Sequence, residues 1–155
     1  MSAAGRDRPD IVVFPPMLFA ASLVVGLVTH RLCPYRLDAI WLRWAGGAIA
    51  VLSLLAGLWG ERTMKAAGTN VRPDRPALSI VDRGPFAYSR NPLYLSVLGL
   101  FTGIGLALAS PAFLVVLFPL AVILHFGIVS GEEAYLEDKF GEVYRSYKER
   151  VRRWL

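Results

Sequence analysis

The sequence has one cysteine, Cys33, and no Asp, Glu, Lys or Arg inside its long apolar stretches. A single cysteine cannot form an internal disulfide or a cysteine-rich metal site, which excludes a disulfide-stapled module. Charged residues make up 19% of the 155 residues and hydrophobic residues 55%, whereas soluble domains have about 25% charged residues. Because the apolar residues are concentrated in four blocks, the chain is neither a soluble globule nor a disordered segment.

The four apolar blocks predict four membrane-spanning helices. They cover residues 11–29, 44–60, 93–109 and 112–129, and each has 17 to 19 residues. A bilayer core of about 30 Å needs about 20 helical residues, with a lower limit near 17. No block alternates in polarity with the period of a strand, so helices rather than a closed barrel satisfy the backbone in lipid. The predicted fold is an all-α integral membrane bundle, in one domain that spans residues 1–155.

The distribution of basic residues predicts the orientation in the membrane. Fourteen of the 17 Lys and Arg residues lie in the N-terminal segment, the loop 61–92 and the tail, while Arg31, Arg36 and Arg43 lie on the other side. We therefore expect both termini in the cytoplasm, in the inner membrane of a bacterium. The net charge of +5 is then explained by topology, and nucleic acid is not expected as a partner.

The polar residues are concentrated in two regions. The loop 61–92 is long for a compact protein and ends in aromatic and turn-forming residues, so it is expected to fold back against the membrane surface. In the tail, apolar and aromatic residues recur at steps of three and four, which predicts an amphipathic helix over residues 132–153. On pattern alone, such a basic amphipathic helix is typical of one that lies on anionic lipid.

Several side chains allow two interpretations. Glu132 and Glu133 either complement the dipole at the start of the tail helix or form a clamp for a cationic ligand. His125 is either an interfacial residue held by a neighbour or part of a polar pocket under the loop. The glycines of the third block either allow close helix packing or form the wall behind a ligand. These glycines are Gly99, Gly103 and Gly105.

The motifs that are missing narrow the functional classes. No P-loop, HExxH or GxSxG sequence occurs, which leaves the common nucleotide-binding, metalloprotease and serine-hydrolase sites without support. The absence of acidic and basic residues from the apolar blocks disfavours an ion-coupled transporter, because such proteins need intramembrane charge. The remaining alternative to an enzyme is a non-catalytic membrane transporter or scaffold subunit.

Two segments resemble the isoprenylcysteine carboxyl methyltransferase and phospholipid methyltransferase superfamily of integral membrane enzymes. Residues 84–95 read GPFAYSRNPLYL and are similar to its Gly-Pro-Tyr/Phe and Arg-His/Asn-Pro-x-Tyr motif. Residues 132–153 contain Glu-Glu, Phe-Gly and two tyrosines at the spacing of its second motif, followed by Val151 and Arg153. The two segments are separated by a helical hairpin, as in that superfamily, whereas the first two helices match only in hydropathy.

The resemblance implies S-adenosylmethionine as methyl donor, held at the cytoplasmic face. Arg90 is suited to bind its carboxylate, and Glu133 with Glu132 is suited to bind its ammonium group or ribose hydroxyls. The tyrosines would line the adenine or the mouth of the substrate site, and no metal is required. The residues assigned to catalysis are Arg90, Asn91 and Glu133. The residues assigned to cofactor binding are Arg90, Asn91, Pro92, Tyr94, His125, Glu132, Glu133, Tyr144 and Tyr147.

The resemblance also implies a lipophilic acceptor that is methylated on a carboxylate, an amine or a thiol. Prenylcysteine-directed members typically have histidine where this chain has Asn91, and a neutral amide cannot accept a proton at pH 7. This difference disfavours a prenylcysteine carboxylate. We expect instead a lipid or small hydrophobic molecule that enters sideways from the bilayer, with membrane lipids as partners. A family member that binds the donor without turnover is a further alternative.

Overall fold

The structure is a computed structural model that describes residues 9, 13–33, 35–37, 39–72 and 74–155. Within these residues it is all-α, as predicted, and it has no strand. A 3₁₀ turn covers Gly84–Ala87 in the long loop, and a π-helical turn, His125–Val129, joins α4 to α5. The six helices are α1 (Pro15–Leu32), α2 (Ile40–Ala66), α3 (Pro92–Ala107), α4 (Pro111–Leu124), α5 (Ser130–Phe140) and α6 (Glu142–Arg150).

Among the described residues, three helices are long and apolar enough to cross a membrane: α1, α2 and the continuous helix Pro111–Phe140. The fourth, α3, has 16 residues, which corresponds to about 24 Å and is short for a bilayer core of about 30 Å. Only 6% of the most apolar window of α2 is buried, so the side of this helix that does not contact α3 is exposed, as a lipid-facing surface would be. Each predicted block overlaps one of these helices, although residues 11 and 12 lie outside the described residues.

Helices α2 and α3 pack closely because glycines face each other across the contact. A Cβ atom on Gly46 would lie 2.7 Å from the carbonyl oxygen of Gly103, and one on Gly103 would lie 2.5 Å from the backbone nitrogen of Ala50. Gly99 likewise faces the side chain of Ser53. Small residues allow this approach between membrane helices. The close-packing interpretation of the third-block glycines is therefore confirmed.

The apolar core lies where α1, α3 and α4 meet. Phe101 of α3 and Phe113 of α4 are fully buried, with ring centroids 5.1 Å apart. Three residues connect α3 to Pro111, which begins α4, so the two helices form the antiparallel hairpin that a short link requires. α3 begins at Pro92, where the long loop ends. The core contacts with α1 and α4 therefore fix the helix end that adjoins the loop.

The prediction of one helix over residues 132–153 is wrong in two respects. α5 continues from α4 through the π-helical turn, so Glu132 and Glu133 do not lie at a free helix N-terminus. At its other end, α5 stops at Phe140, because Gly141 has φ +52° and turns the chain into α6. Glycine is favoured in this left-handed region since it lacks a Cβ atom.

The loop and the tail pack against each other at one end of the bundle. Tyr144 and Tyr147 of α6 are buried and contact Ile80 of the loop, so the apolar side of the tail faces protein rather than lipid. The Arg72 guanidinium lies 5.6 Å from the centroid of the Phe14 ring, which brings the start of α1 to the same end. The start of α1, the long loop and the tail therefore share one end of the molecule, and Cys33, after α1, lies at the other.

Replacing Gly46 with alanine is expected to weaken the α2–α3 contact, because the added methyl group would overlap the backbone of α3. Overpacking of this kind costs about 1–3 kcal/mol, so the apparent unfolding temperature in detergent should fall. The adjacent Gly47 is the matched control, since a Cβ there meets no atom of the described residues within 4 Å. Gly47→Ala should not lower the unfolding temperature, because alanine favours a helix interior more than glycine does, and an equal loss in both variants would contradict the packing explanation.

Candidate active site

A cavity of about 480 Å³ lies at the loop end of the bundle, between the start of α1, the start of α3, α5, α6 and the loop. One part of its wall is apolar and includes Phe14, Phe19 and Val97. The other part is polar and contains eight of the nine residues assigned from the sequence. These eight are Arg90, Asn91, Pro92, Tyr94, Glu132, Glu133, Tyr144 and Tyr147.

Local backbone constraints place the polar residues on this wall. Pro92 is the first residue of α3, and proline disfavours a helical conformation in the residue before it. Asn91 accordingly has φ −129° and lies outside the helix, so Arg90 and Asn91 line the cavity instead of continuing α3. On the opposite side, Glu132 and Glu133 lie in the first turn of α5, which follows the π-helical turn directly. Such turns shift the register of a helix and are frequent at functional sites.

Glu133 is buried and is neutralised by two arginines. Arg153 contacts both carboxylate oxygens, with Nη2 2.8 Å and Nε 3.1 Å from Oε2, and Nε 3.2 Å from Oε1. Arg90 reaches Oε1 through Nη2 alone, at 3.4 Å. The amide nitrogen of Asn91 lies 3.5 Å from the same oxygen. A buried carboxylate needs this compensation, because removing one partner of a buried ion pair is strongly destabilising.

The backbone of the tail completes the same network. The carbonyl of Arg153 accepts hydrogen bonds from Asn91 Nδ2 at 3.1 Å and from Ser89 Oγ at 3.3 Å. The carbonyl of Arg152 accepts one from the backbone N–H of Arg90 at 3.0 Å. Sequence reasoning quoted Arg153 as part of a motif but gave it no role. The sequence feature that could have pointed to Arg153 is its position two residues after Val151, which follows the two tyrosines of the same motif.

Two opposite charges on the cavity wall are left without a full set of partners. Among the described residues, Nε and Nη1 of the buried Arg90 have no hydrogen-bond partner. The Glu132 carboxylate accepts a 2.6 Å hydrogen bond from the Tyr94 hydroxyl, and no cation of the described chain pairs with it. Buried polar groups without partners are costly. A ligand with an anionic and a cationic group would supply a partner to each, with the anion at Arg90 and the cation at Glu132.

The two tyrosines of α6 are neutral hydrogen-bonding groups that hold the loop in place. Burial raises the pKa of Tyr144 above its usual value, and the Glu133 charge raises it further against the opposing effect of Arg90. Burial, followed by the neighbouring Tyr144, raises the pKa of Tyr147 in the same direction. Both phenols therefore stay protonated at physiological pH, and the Tyr147 hydroxyl donates a 2.7 Å hydrogen bond to the Phe86 carbonyl.

His125 is the one assigned residue that the structure does not bring to the cavity. It lines a separate shallow crevice with apolar residues of α3 and α4. Its Nδ1 accepts a 3.2 Å hydrogen bond from Trp154 Nε1, its ring stacks on that indole, and its Nε2 lies 3.2 Å from Arg153 Nη1. This arrangement favours the interpretation of an interfacial histidine held by its neighbours, connected to the cavity only through Arg153.

Comparison with known proteins agrees with the two motifs. The model of the phospholipid methyltransferase family matches residues 41–143. The chain belongs to that family. Over 64 residues, or 41% of this chain, it is also 48% identical to the whole of an uncharacterized protein of Haemophilus influenzae.

Family membership and the apolar helices together make the protein an integral membrane protein of a methyltransferase family. The matched residues include Arg90, Asn91, Glu132 and Glu133, and therefore most of the polar wall of the cavity. Arg153 follows the matched range, so its place beside Glu133 is known from the structure alone.

Replacing Glu133 with alanine is expected to destabilise the fold, because it leaves two arginine side chains at the site without their shared counter-ion. Breaking a buried ion pair costs about 3–5 kcal/mol, which should appear as a lower unfolding temperature in detergent. Glu142 is the control, since it forms an ion pair with Arg145 on the surface and its side chain is 78% exposed. Glu142→Ala should change the unfolding temperature little. Equal stability of the two variants would refute the structural role of Glu133.

Proposed function

We propose that the protein transfers a methyl group from S-adenosylmethionine to a lipophilic acceptor at the end of the bundle that holds the cavity. One observation carries the proposal: within the part of the chain that the structure describes, a single cavity presents two N–H groups of Arg90 without hydrogen-bond partners and the carboxylate of Glu132 without a cationic partner. The methionine part of S-adenosylmethionine has a carboxylate and an ammonium group, which fit this pair. Membership of a methyltransferase family supports the same conclusion.

The charged residues have separate tasks in this proposal. Arg90 binds the donor carboxylate through the N–H groups of Nε or Nη1 that Glu133 leaves free, since a hydrogen bond from a guanidinium group to a carboxylate is charge-assisted and strong. Glu132 accepts hydrogen bonds from the ammonium group, and Tyr94 fixes the orientation of that carboxylate. We assign no donor contact to Glu133, because Arg153 and Arg90 already engage its oxygens. The sequence-based assignment of the ammonium group to Glu133 with Glu132 is thereby narrowed to Glu132.

The remaining wall of the cavity aligns the acceptor and keeps water out. When bound, the donor would supply an electrophilic methyl group on its sulfonium sulfur. The sulfur–methyl bond would break, and the rest of the donor would leave as a neutral thioether. Phe14, Phe19 and Val97 would contact the apolar part of the acceptor and exclude water, and alignment of this kind lowers the barrier of a displacement reaction. The amide of Asn91, held by the Arg153 carbonyl, can orient the acceptor but cannot take its proton.

The acceptor enters from the bilayer in this proposal. Phe19 of α1 and Phe14, which precedes this helix, line the cavity, while side chains farther along α1, such as Val24 and Val28, are exposed. A lipophilic molecule that moves along this helix within the membrane therefore reaches the cavity without crossing water. The apolar wall suits a lipid or small hydrophobic acceptor that presents a carboxylate, an amine or a thiol to the polar wall.

Donor binding is the direct test. Isothermal titration of detergent-purified protein with S-adenosylmethionine and S-adenosylhomocysteine should show saturable binding. Arg90→Gln and Glu132→Gln should each weaken it by at least about tenfold, as expected for loss of a charge-assisted hydrogen bond. Arg83→Gln and Glu142→Gln remove the same charges from exposed positions and should bind like the wild type. Absence of binding in both detergent and lipid nanodiscs would favour the transporter or scaffold alternative.

We propose further that the cavity end faces the cytoplasm, as the excess of basic residues at that end supports. Cys33 is exposed at the opposite end and is the single cysteine of the chain. In intact bacterial cells, a membrane-impermeant maleimide should therefore label the wild-type protein. A Cys33→Ser, Ser146→Cys variant, with its thiol on an exposed position of α6, should be labelled only after permeabilisation. The reverse pattern would invert the proposed orientation.

A further inference from the structure

We infer that Arg153 is a positioning residue that occupies Glu133 and thereby keeps Arg90 available for the donor carboxylate. This inference rests on the proposed function, since it concerns the same cavity. It assigns a task in ligand binding to a residue of the tail that does not line the cavity itself.

The two arginines share Glu133 unequally. Arg153 contacts both carboxylate oxygens at distances from 2.8 to 3.2 Å, through Nη2 and Nε. Arg90 makes one contact of 3.4 Å with Glu133 through Nη2 and also interacts with the Tyr144 hydroxyl, while its Nε and Nη1 remain without hydrogen-bond partners among the described residues. The stronger pairing with Arg153 is thus accompanied by unused donors on Arg90, which are the ones a ligand carboxylate needs.

Removal of the Arg153 charge changes this balance. Glu133 is only 5% exposed, and a buried carboxylate strongly favours a paired cation over isolation. Arg90 is the cation already in contact with it, and a guanidinium group pairs with a carboxylate best through two parallel hydrogen bonds. Arg90 would therefore close onto Glu133, and its free N–H groups would no longer be available to the donor.

The test separates this effect from a general loss of structure. Arg153→Gln keeps the backbone carbonyl that binds Asn91 and Ser89 but removes the guanidinium group. The dissociation constants of S-adenosylmethionine and S-adenosylhomocysteine, measured by isothermal titration, should rise by at least about tenfold. Arg145→Gln is the matched control, because it removes an exposed arginine of the same tail, and it should bind like the wild type.

A double variant provides the readout that a merely structural role would not produce. In Arg153→Gln, Glu133→Gln, the carboxylate that captures Arg90 is gone, so Arg90 should again be free and binding should be tighter than in Arg153→Gln alone. The double variant leaves no unpaired carboxylate, and the Arg90 charge that it leaves unpaired is the one that the donor carboxylate neutralises on binding, so the variant should be stabilised by the ligand. Arg153→Lys restores the charge without the fork and should bind with intermediate affinity.

The outcomes distinguish this inference from the proposed function. If the wild type binds neither ligand in detergent or in nanodiscs, the proposed function is wrong and the role of Arg153 is rejected with it. If the wild type binds and Arg153→Gln binds equally tightly, the proposed function stands and this inference is wrong. A double variant that folds but binds no better than Arg153→Gln, or that shows no binding where the single variant fails to fold, would also overturn it. Recovery in the double variant supports it.

Discussion

The neutralisation of one buried carboxylate, Glu133, determines how the polar end of the molecule is assembled. Its two guanidinium partners come from segments far apart in the sequence, Arg90 from the loop and Arg153 from the tail. Because a buried charge tolerates little displacement of its counter-ions, both segments must approach α5 at once. The hydrogen bonds from Asn91 and Ser89 to the tail carbonyl follow from that approach, and so does the polar wall of the cavity.

The membrane part of the molecule provides the rigid base for this arrangement. Lipid offers no hydrophobic drive for helices to associate, so close packing of small residues has to hold α2 and α3 together. Gly46 and Gly103 supply that contact near the end remote from the cavity. The outward side of α2, with exposed Val51, Leu52 and Leu55, takes no part in this contact.

The sequence was sufficient for the features that depend on local composition. Hydropathy located the four apolar helices, and two motifs identified eight residues that line one cavity. The sequence did not reveal the break at Gly141, however. The apolar residues of α5 and α6 keep helical spacing across this glycine because both helices present them to the same neighbours. The partners of Glu133 and His125 could not be predicted, since they depend on contacts between residues 20 to 43 positions apart.

The position of Arg153 after α4 also has a consequence for biosynthesis. All four apolar helices are synthesised before this residue, and chains fold from the N-terminus as they emerge. Insertion into the membrane therefore precedes the closing of the charge network, and Glu133 has only Arg90 as a counter-ion until the tail arrives. A chain that lacks Arg153 would hold the Glu133 carboxylate with Arg90 as its single arginine partner among the described residues, and its cavity would be incomplete.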